Sequence, residues 1–304
     1  MATTGVLDVY GAKLIEAQDG TITLTNGQQL GPVQTIDTSG LEWNSLTMSA
    51  QNSTFSQKKY TDGGTIEITF TGLRDDVLVA FGGSQKIENT ETVGRGESLN
   101  YPYMALGTRE TYTHAERQSH RTTEDVEEGY KVFIYPKAKI ESIKEEEKET
   151  RASGEDVPSK GVTVTFRIYF DLDTRQVDYH ATYPFIEKDG TVHPDANKKS
   201  LDYLKGEMGI NYNVQFNDGD EGGMERQFRA GRVAELPAME DPSGQNRPFL
   251  GWSFMSAAEA IARNIAPAAR AIINNYFPGA GDVLYAVFGD PPNNDNEDGN
   301  DNNG

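Results

Sequence analysis

The sequence contains no cysteine. That absence removes disulfide scaffolds, thiol catalysis and thiolate metal sites together, and it suits folding in a reducing cytoplasm. Long hydrophobic runs are missing too. Stretches such as Val77-Leu78-Val79-Ala80-Phe81 fall far short of the ~20 residues that a membrane-spanning helix needs. The opening Met1-Ala2-Thr3-Thr4-Gly5 has neither a basic nor an apolar segment, so no secretory leader is expected. Positive charge is scarce: 28 Lys and Arg stand against 47 Asp and Glu, a formal net charge of −19. The deficit is spread along the chain, with 30 acids and 19 bases in residues 1–190 and 17 and 9 in the remainder. A protein that grips nucleic acid displaces counterions with basic surface, which this chain lacks in bulk. An acidic surface would instead let DNA slide past without sticking, although solubility is the plainer reading of the charge.

What is present is a strand-rich chain of 304 residues, 36% of them hydrophobic, enough for two ordinary domains with modest cores. Thr21–Leu24 lies between the turn pairs Asp19-Gly20 and Asn26-Gly27. Thr65–Phe70 alternates, placing Ile66, Ile68 and Phe70 on one face. Lys131–Tyr135 is a further strand. The clearest is Gly161–Phe170, with Val162, Val164, Phe166, Ile168 and Phe170 toward a core and Thr163, Thr165, Arg167 and Tyr169 outward. Such two-sided strands imply antiparallel sheets in a sandwich or barrel. One short helix fits between them: Leu73, Val77 and Phe81 recur at helical spacing before Gly82-Gly83. Gln85–Gly129 is polar and weakly periodic, and a stretch of that length between strands usually serves binding or assembly. Glu141–Lys160 reads as a long acidic hairpin tip or loop.

A composition break at Lys188–Gly209 reads as a linker, with room for one helical turn around Leu201–Lys205. It divides a first domain, 1–188, from a second β unit, 211–289, with 189–210 between them. Residues 290–304 are Asn, Asp, Gly and one Glu around two prolines, with no hydrophobic residue; they cannot offset ordering entropy by burial and are expected to be a disordered acidic tail.

Two segments resemble known families. Residues 5–186 are similar to the major tail proteins of siphophages that infect Gram-positive bacteria. The resemblance is carried by Gly64–Thr69 leading into Leu73–Phe81 and Gly82-Gly83, then Tyr103–Gly107, Tyr130–Lys137, the acidic loop and Val162–Phe170, in that order. It implies a tail-tube β-sandwich or barrel with one flanking helix, assembled as stacked homo-hexameric rings around a channel. The partners it implies are further copies of the chain, the tape measure protein, the tail terminator and the distal tail or baseplate proteins, with genomic DNA crossing the lumen without specific binding. The implied location is the virion tail, reached from the host cytoplasm during assembly. The long Gln85–Gly129 stretch departs from the family pattern. Residues 212–288 resemble the Listeria–Bacteroides repeat, the internalin-type B-repeat, through Tyr212–Phe216, Gly222-Gly223, Gly231-Arg232-Val233, Pro248–Ser253 and Asp282–Phe288. That implies a small β-grasp-like domain, here with an Ala-rich helical insert between Trp252 and Gly281. Ser256 and Glu259 give the insert a capping box, Ile261, Ile265 and Ile272 can share a face, and Pro267 splits it. The fold class expected is thus mainly β throughout.

No catalytic, cofactor or metal site is expected. Asp171 with Asp173, and Glu124, Asp125, Glu127 and Glu128, are the carboxylate groupings a glycosidase reading would use, but 47 acids make such coincidences ordinary. His114 and His120 are six apart, which is not the helical metal spacing; they, His180 and His193 read as surface residues. Gly94-Arg95-Gly96 lacks the rest of a phosphate loop. Asp295–Asp301 lacks the glycine and the distal glutamate of a calcium loop. Trp252 reads as a core anchor rather than a sugar platform. Three functional classes follow: a virion tube protein forming the channel for DNA ejection, a bacterial cell-surface adhesin or binding module, and a β-rich hydrolase for which no motif is present.

Overall fold

The computed structural model describes residues 2–17, 21–41, 44–50, 53–60, 63–73, 75–82, 84–86, 93–95, 101–115, 126–145, 161–171, 176–187, 189–217 and 223–291. The chain is mainly β and divides into two compact units, Met1–Ile210 and Asn211–Gly304. The proposed acidic tail lies outside the described residues from 292 onward, as does 146–160 of the expected acidic loop.

The first unit runs β1 (Ala2–Glu16), β2 (Ile22–Gln29), β3 (Val33–Asp37), β4 (Asn44–Ala50), β5 (Ser53–Tyr60), β6 (Gly63–Phe70), α1 (Asp75–Ala80), β7 (Ser84–Lys86), β8 (Val93–Arg95), β9 (Tyr103–Ala115), β10 (Val126–Glu145), β11 (Val162–Tyr169), β12 (Tyr179–Ile186) and α2 (Ala196–Glu207). Eight of the strands form one antiparallel sheet in the order β2-β1-β9-β10-β11-β6-β3, with β12 branching from β10. The branch follows from length. One edge of the 20-residue β10 pairs with β9, while its other edge pairs with β12 over Glu128–Ile134 and then with β11 over Ala138–Glu145. β4 pairs with β5 and β7 with β8 as separate two-stranded ribbons.

The sheet curls, because Val9 and Leu30 from one end meet Ile66, Ile68 and Phe70 from the other in a single core, and β3 comes back beside β1. The alternation read from sequence holds where it is strictest: Ile66, Ile68, Phe70 and Ile168 are fully buried, and Val164 and Phe166 nearly so. Each such side chain contributes about 1.5–3 kcal/mol. Phe170 departs from the pattern; β11 ends at Tyr169, and Phe170 is 41% exposed. The expected helix is α1. Val77 and Phe81 are its buried residues, Leu73 packs against the same core, and Asp75 and Asp76 occupy its electropositive first turn.

The polar stretch 85–129 is not a loop in its described parts. β9 is a central strand with Met104, Leu106 and Tyr112 buried, and its polar Thr108, Arg109 and Glu110 are buried as well. Those three hide the alternation that a hydrophobic count relies on.

Residues 189–210 are not a linker. They belong to the first unit, and α2 packs on the opposite face of the sheet from the main core. Leu204 and Met208, fully buried, meet Tyr10, Ala12, Ala105, Val132 and Ile134. The first unit therefore has two flanking helices, not one. α2 ends where the Gly209 N–H reaches the Gly206 carbonyl at 2.9 Å and the Ile210 N–H reaches that of Lys205 at 3.0 Å. This paired closure needs a left-handed residue, and Gly209 has φ +72°. Asn26-Gly27, expected as a turn, is a bulge inside β2: Gly11 pairs with Gln28 and Lys13 with Thr25, with Asn26 at φ +54°. A Cβ on Gly27 would lie 2.2 Å from the Met208 carbonyl oxygen, so this bulge gives the end of α2 its place.

The second unit contains β13 (Asn211–Asn217), β14 (Gly223–Arg229), β15 (Phe249–Ser253), α3 (Ala257–Ala262) and β16 (Val283–Phe288), in the sheet order β14-β13-β16-β15. Its parallel central pair, β13 with β16, sits between two antiparallel ones. Val214, Phe216, Trp252, Tyr276, Leu284, Ala286 and Phe288 form its core, with Phe249 packed against it. Tyr285 is half-buried and outside this cluster, as is the buried Val287. Trp252 is the anchor: 1% exposed, edge-on to Phe216 at 4.7 Å, its indole N–H donating to the Pro237 carbonyl at 2.7 Å.

The capping box at Ser256 and Glu259 is present, but α3 is only six residues long. Asn264, at φ +59°, ends it. Ile261 is 66% exposed while Ile272 lies against Gly251, so the expected shared isoleucine face does not form. The chain beyond α3 is tied instead by the buried Arg270, which donates to the carbonyls of Pro267, Met255 and Ala286 at 2.7, 2.9 and 2.6 Å.

Candidate functional site

The sheet of the first unit has two polar clusters and, over β10, β11 and β6, an outward polar face. The first cluster is built around Arg109 on β9. Its guanidinium donates to Asp8 Oδ2 on β1 at 2.8 Å, and to Asn197 Oδ1, the Asn197 carbonyl and Ser200 Oγ on α2 at 2.6, 2.9 and 3.2 Å. The Tyr130 ring covers it at 5.4 Å. Every donor points into protein, so this cluster clamps α2 to the sheet and leaves nothing for a ligand.

The second cluster joins Glu110 on β9, Lys131 on β10, Asp178 just before β12 and His180 on it. Glu110 and Lys131 are direct cross-strand partners. Burial raises the Glu110 carboxyl above its ordinary range, while the Thr108 hydroxyl and Lys131 pull it down. Burial likewise raises Asp178, against His180 and Lys131. The Tyr135 hydroxyl is pushed far up, by burial first and then by Asp178 and Glu110. Two carboxyls held toward neutrality are what acid–base chemistry uses. Here a lysine cross-strand from one of them and above the Phe133 ring at 4.7 Å gives an electrostatic balance internal to the sheet.

The carboxylates singled out in the sequence are described only in part. Asp171 is buried and bridges backbone with Gln176, and Asp173 lies outside the described residues. Glu127 accepts the Tyr112 hydroxyl at 2.7 Å and Glu128 is exposed, while Glu124 and Asp125 lie outside the described residues. His180 tilts against Phe133 at 5.7 Å, and His193 lies 2.7 Å from Glu187. His120 and Asp295–Asp301 are outside the described residues, and the His114 backbone pairs with Glu127 in β9 and β10. Gly94-Arg95 falls in the short strand β8 and Gly96 outside the described residues. Among the described residues no three His, Asp or Glu side chains are grouped to hold a metal ion, and no helix is long and apolar enough to cross a membrane.

What the sheet offers outward is surface. β2 and β3 are its terminal strands, each paired on one side. On the outer face of β9-β10-β11-β6, Thr69 meets Thr163 at 3.0 Å and Ser142 meets Thr165 at 3.1 Å. Further along, Tyr103, Lys139, Arg167 and Thr65 form one cross-strand row. The sequence reading missed this cationic row. Its signal was the alternation of Lys137 and Lys139 with the buried Ala138 and Ile140.

No protein-family model matches the chain, and no curated protein matches it.

Proposed function

We propose that this chain is a structural subunit of a long-tailed bacteriophage, polymerising through its first unit into the tail tube that conducts DNA during ejection. The observation that carries the reading is the curled antiparallel sheet whose terminal strands, β2 and β3, are each paired on one side among the described residues, with β9, β10 and β11 running as paired ribbons. Exposed edges invite pairing with another chain, and a closed ring of copies satisfies them. The strands β6, β9, β10 and β11, with α1, are the segments on which the tail-tube resemblance rests, in the same order. The net charge of −19 suits a conduit that DNA crosses without adhering. Six-fold rings follow from the resemblance alone.

In this reading the second unit is an outward decoration, with a core of its own. Many copies on one tail would raise avidity for a host surface without strong single contacts. The alternative, a cell-surface binding module, rests on this unit alone. Sedimentation velocity of the purified chain over a wide concentration range separates the two. The tube reading expects large, concentration-dependent assemblies. A monomer at every concentration, with or without tail-assembly partners, contradicts it.

A further inference from the structure

The outer face of the first unit holds a group of side chains that neither the fold nor the clamp uses. Tyr103 and Tyr169 stack edge to face, 5.6 Å apart at 76°. The Lys137 and Lys139 ammonium groups lie 5.0 and 5.4 Å from the centre of the Tyr103 ring. Arg167, cross-strand from Lys139, is exposed. Among the described residues no hydrogen bond or ion pair engages any of the three cations. In a chain of net charge −19 this is an island of positive charge on an aromatic floor.

β10 pairs with β11 from Ala138 opposite Ile168 to Glu145 opposite Val162, about 23 Å of strand at roughly 3.3 Å per residue. The sequence there continues Glu145-Glu146-Glu147-Lys148-Glu149. β10 thus carries Lys137 and Lys139 near one end of this pairing, and in the sequence the acidic run begins at the other end, at Glu145.

We propose that the Tyr103–Lys137–Lys139–Arg167 face of one copy receives the acidic 145–149 stretch of a second copy. The inference rests on the proposed polymerising function and names a contact within it. Two copies of so acidic a protein repel wherever their surfaces are alike, so a lasting contact has to bring cations to acids. This island and this run are complementary. The tyrosine rings exclude water beneath the lysines and strengthen the attraction. Because donor and acceptor surfaces differ, the contact is head-to-tail, and a head-to-tail contact propagates instead of stopping at a pair.

The experiment uses the full chain in two charge-reversed forms. One carries Lys137→Glu, Lys139→Glu and Arg167→Glu. The other carries Glu145→Lys, Glu146→Lys, Glu147→Lys and Glu149→Lys. Circular dichroism and thermal melting first establish that each form folds as the unaltered chain does. Sedimentation velocity and electron microscopy then read assembly. The unaltered chain is expected to assemble, and less so as salt rises. Each reversed form alone is expected to self-associate about tenfold or more weakly. An equimolar mixture is expected to recover assembly, because each form then meets its complement. Reversed forms that assemble as well as the unaltered chain overturn the contact and leave the tube reading standing. An unaltered chain that never assembles overturns the tube reading and this contact with it. A face that retards single-stranded DNA in a gel, loses this on cation reversal, and leaves assembly unchanged assigns the patch to nucleic acid instead, which also overturns it.

Discussion

At the scale of single residues, the first unit depends on a buried polar clamp. Arg109 and Asp8 are both largely buried, and Arg109 also binds α2 at two residues. Breaking such a pair from one side leaves an uncompensated buried charge. Arg109→Ala should destabilise the first unit by about 3 kcal/mol, a fall of roughly 10 °C in its melting temperature. Glu110 gives a pH signature. Its folded pKa is raised by burial above the unfolded value of about 4.3. Below the unfolded value the group is protonated in both states and has no effect on stability. As pH rises through the folded value, the carboxylate must be held ionised in a desolvated place, and stability falls. Glu110→Gln removes this loss, so its melting temperature should gain on that of the unaltered protein between pH 5 and pH 8. A difference that stays constant over that range contradicts the argument.

At the scale of elements, what the sequence shows and what it hides have separate physical causes. β6, β11 and α1 are legible because each buries one face only, so Ile66, Ile68 and Phe70, or Val77 and Phe81, stand out against polar neighbours. β9 is hidden because both of its faces are buried, with Thr108 and Glu110 on one and Arg109 on the other, and their partners come from other strands and from α2. α2 is hidden because Lys198 pairs with Asp202 at 2.7 Å and Lys199 with Asp195 at 2.6 Å along its surface, which leaves Leu204, Met208 and the half-buried Leu201 and Tyr203 as a thin apolar stripe. No carboxylate pair announced the Glu110–Asp178 grouping, since residues 68 positions apart meet only through β10. The corrected role of α2 is testable. A chain ending at Ile210 should melt cooperatively near the temperature of the first unit in the full chain. A chain ending at Lys188 exposes Tyr10, Val132 and Ile134 and should aggregate. Leu204→Ala should cost about 3 kcal/mol through the cavity it leaves. If removing 189–210 changes nothing in the melt, the segment is a linker after all.

At the scale of the whole molecule, two cores in one chain predict two separable units. Residues 211–291 should fold alone, with Trp252 emitting at short wavelength because its ring is buried against Phe216 and Phe249. The central claim concerns the first unit: its curled sheet with open terminal strands is a polymerising one. Negative-stain electron microscopy of the purified full chain beside the chain ending at Ile210 tests it most directly. The account expects hollow tubes or stacked rings of one diameter from both, with peripheral density only in the full chain. Folded monomers from both, at high concentration and with tail-assembly partners added, would contradict it.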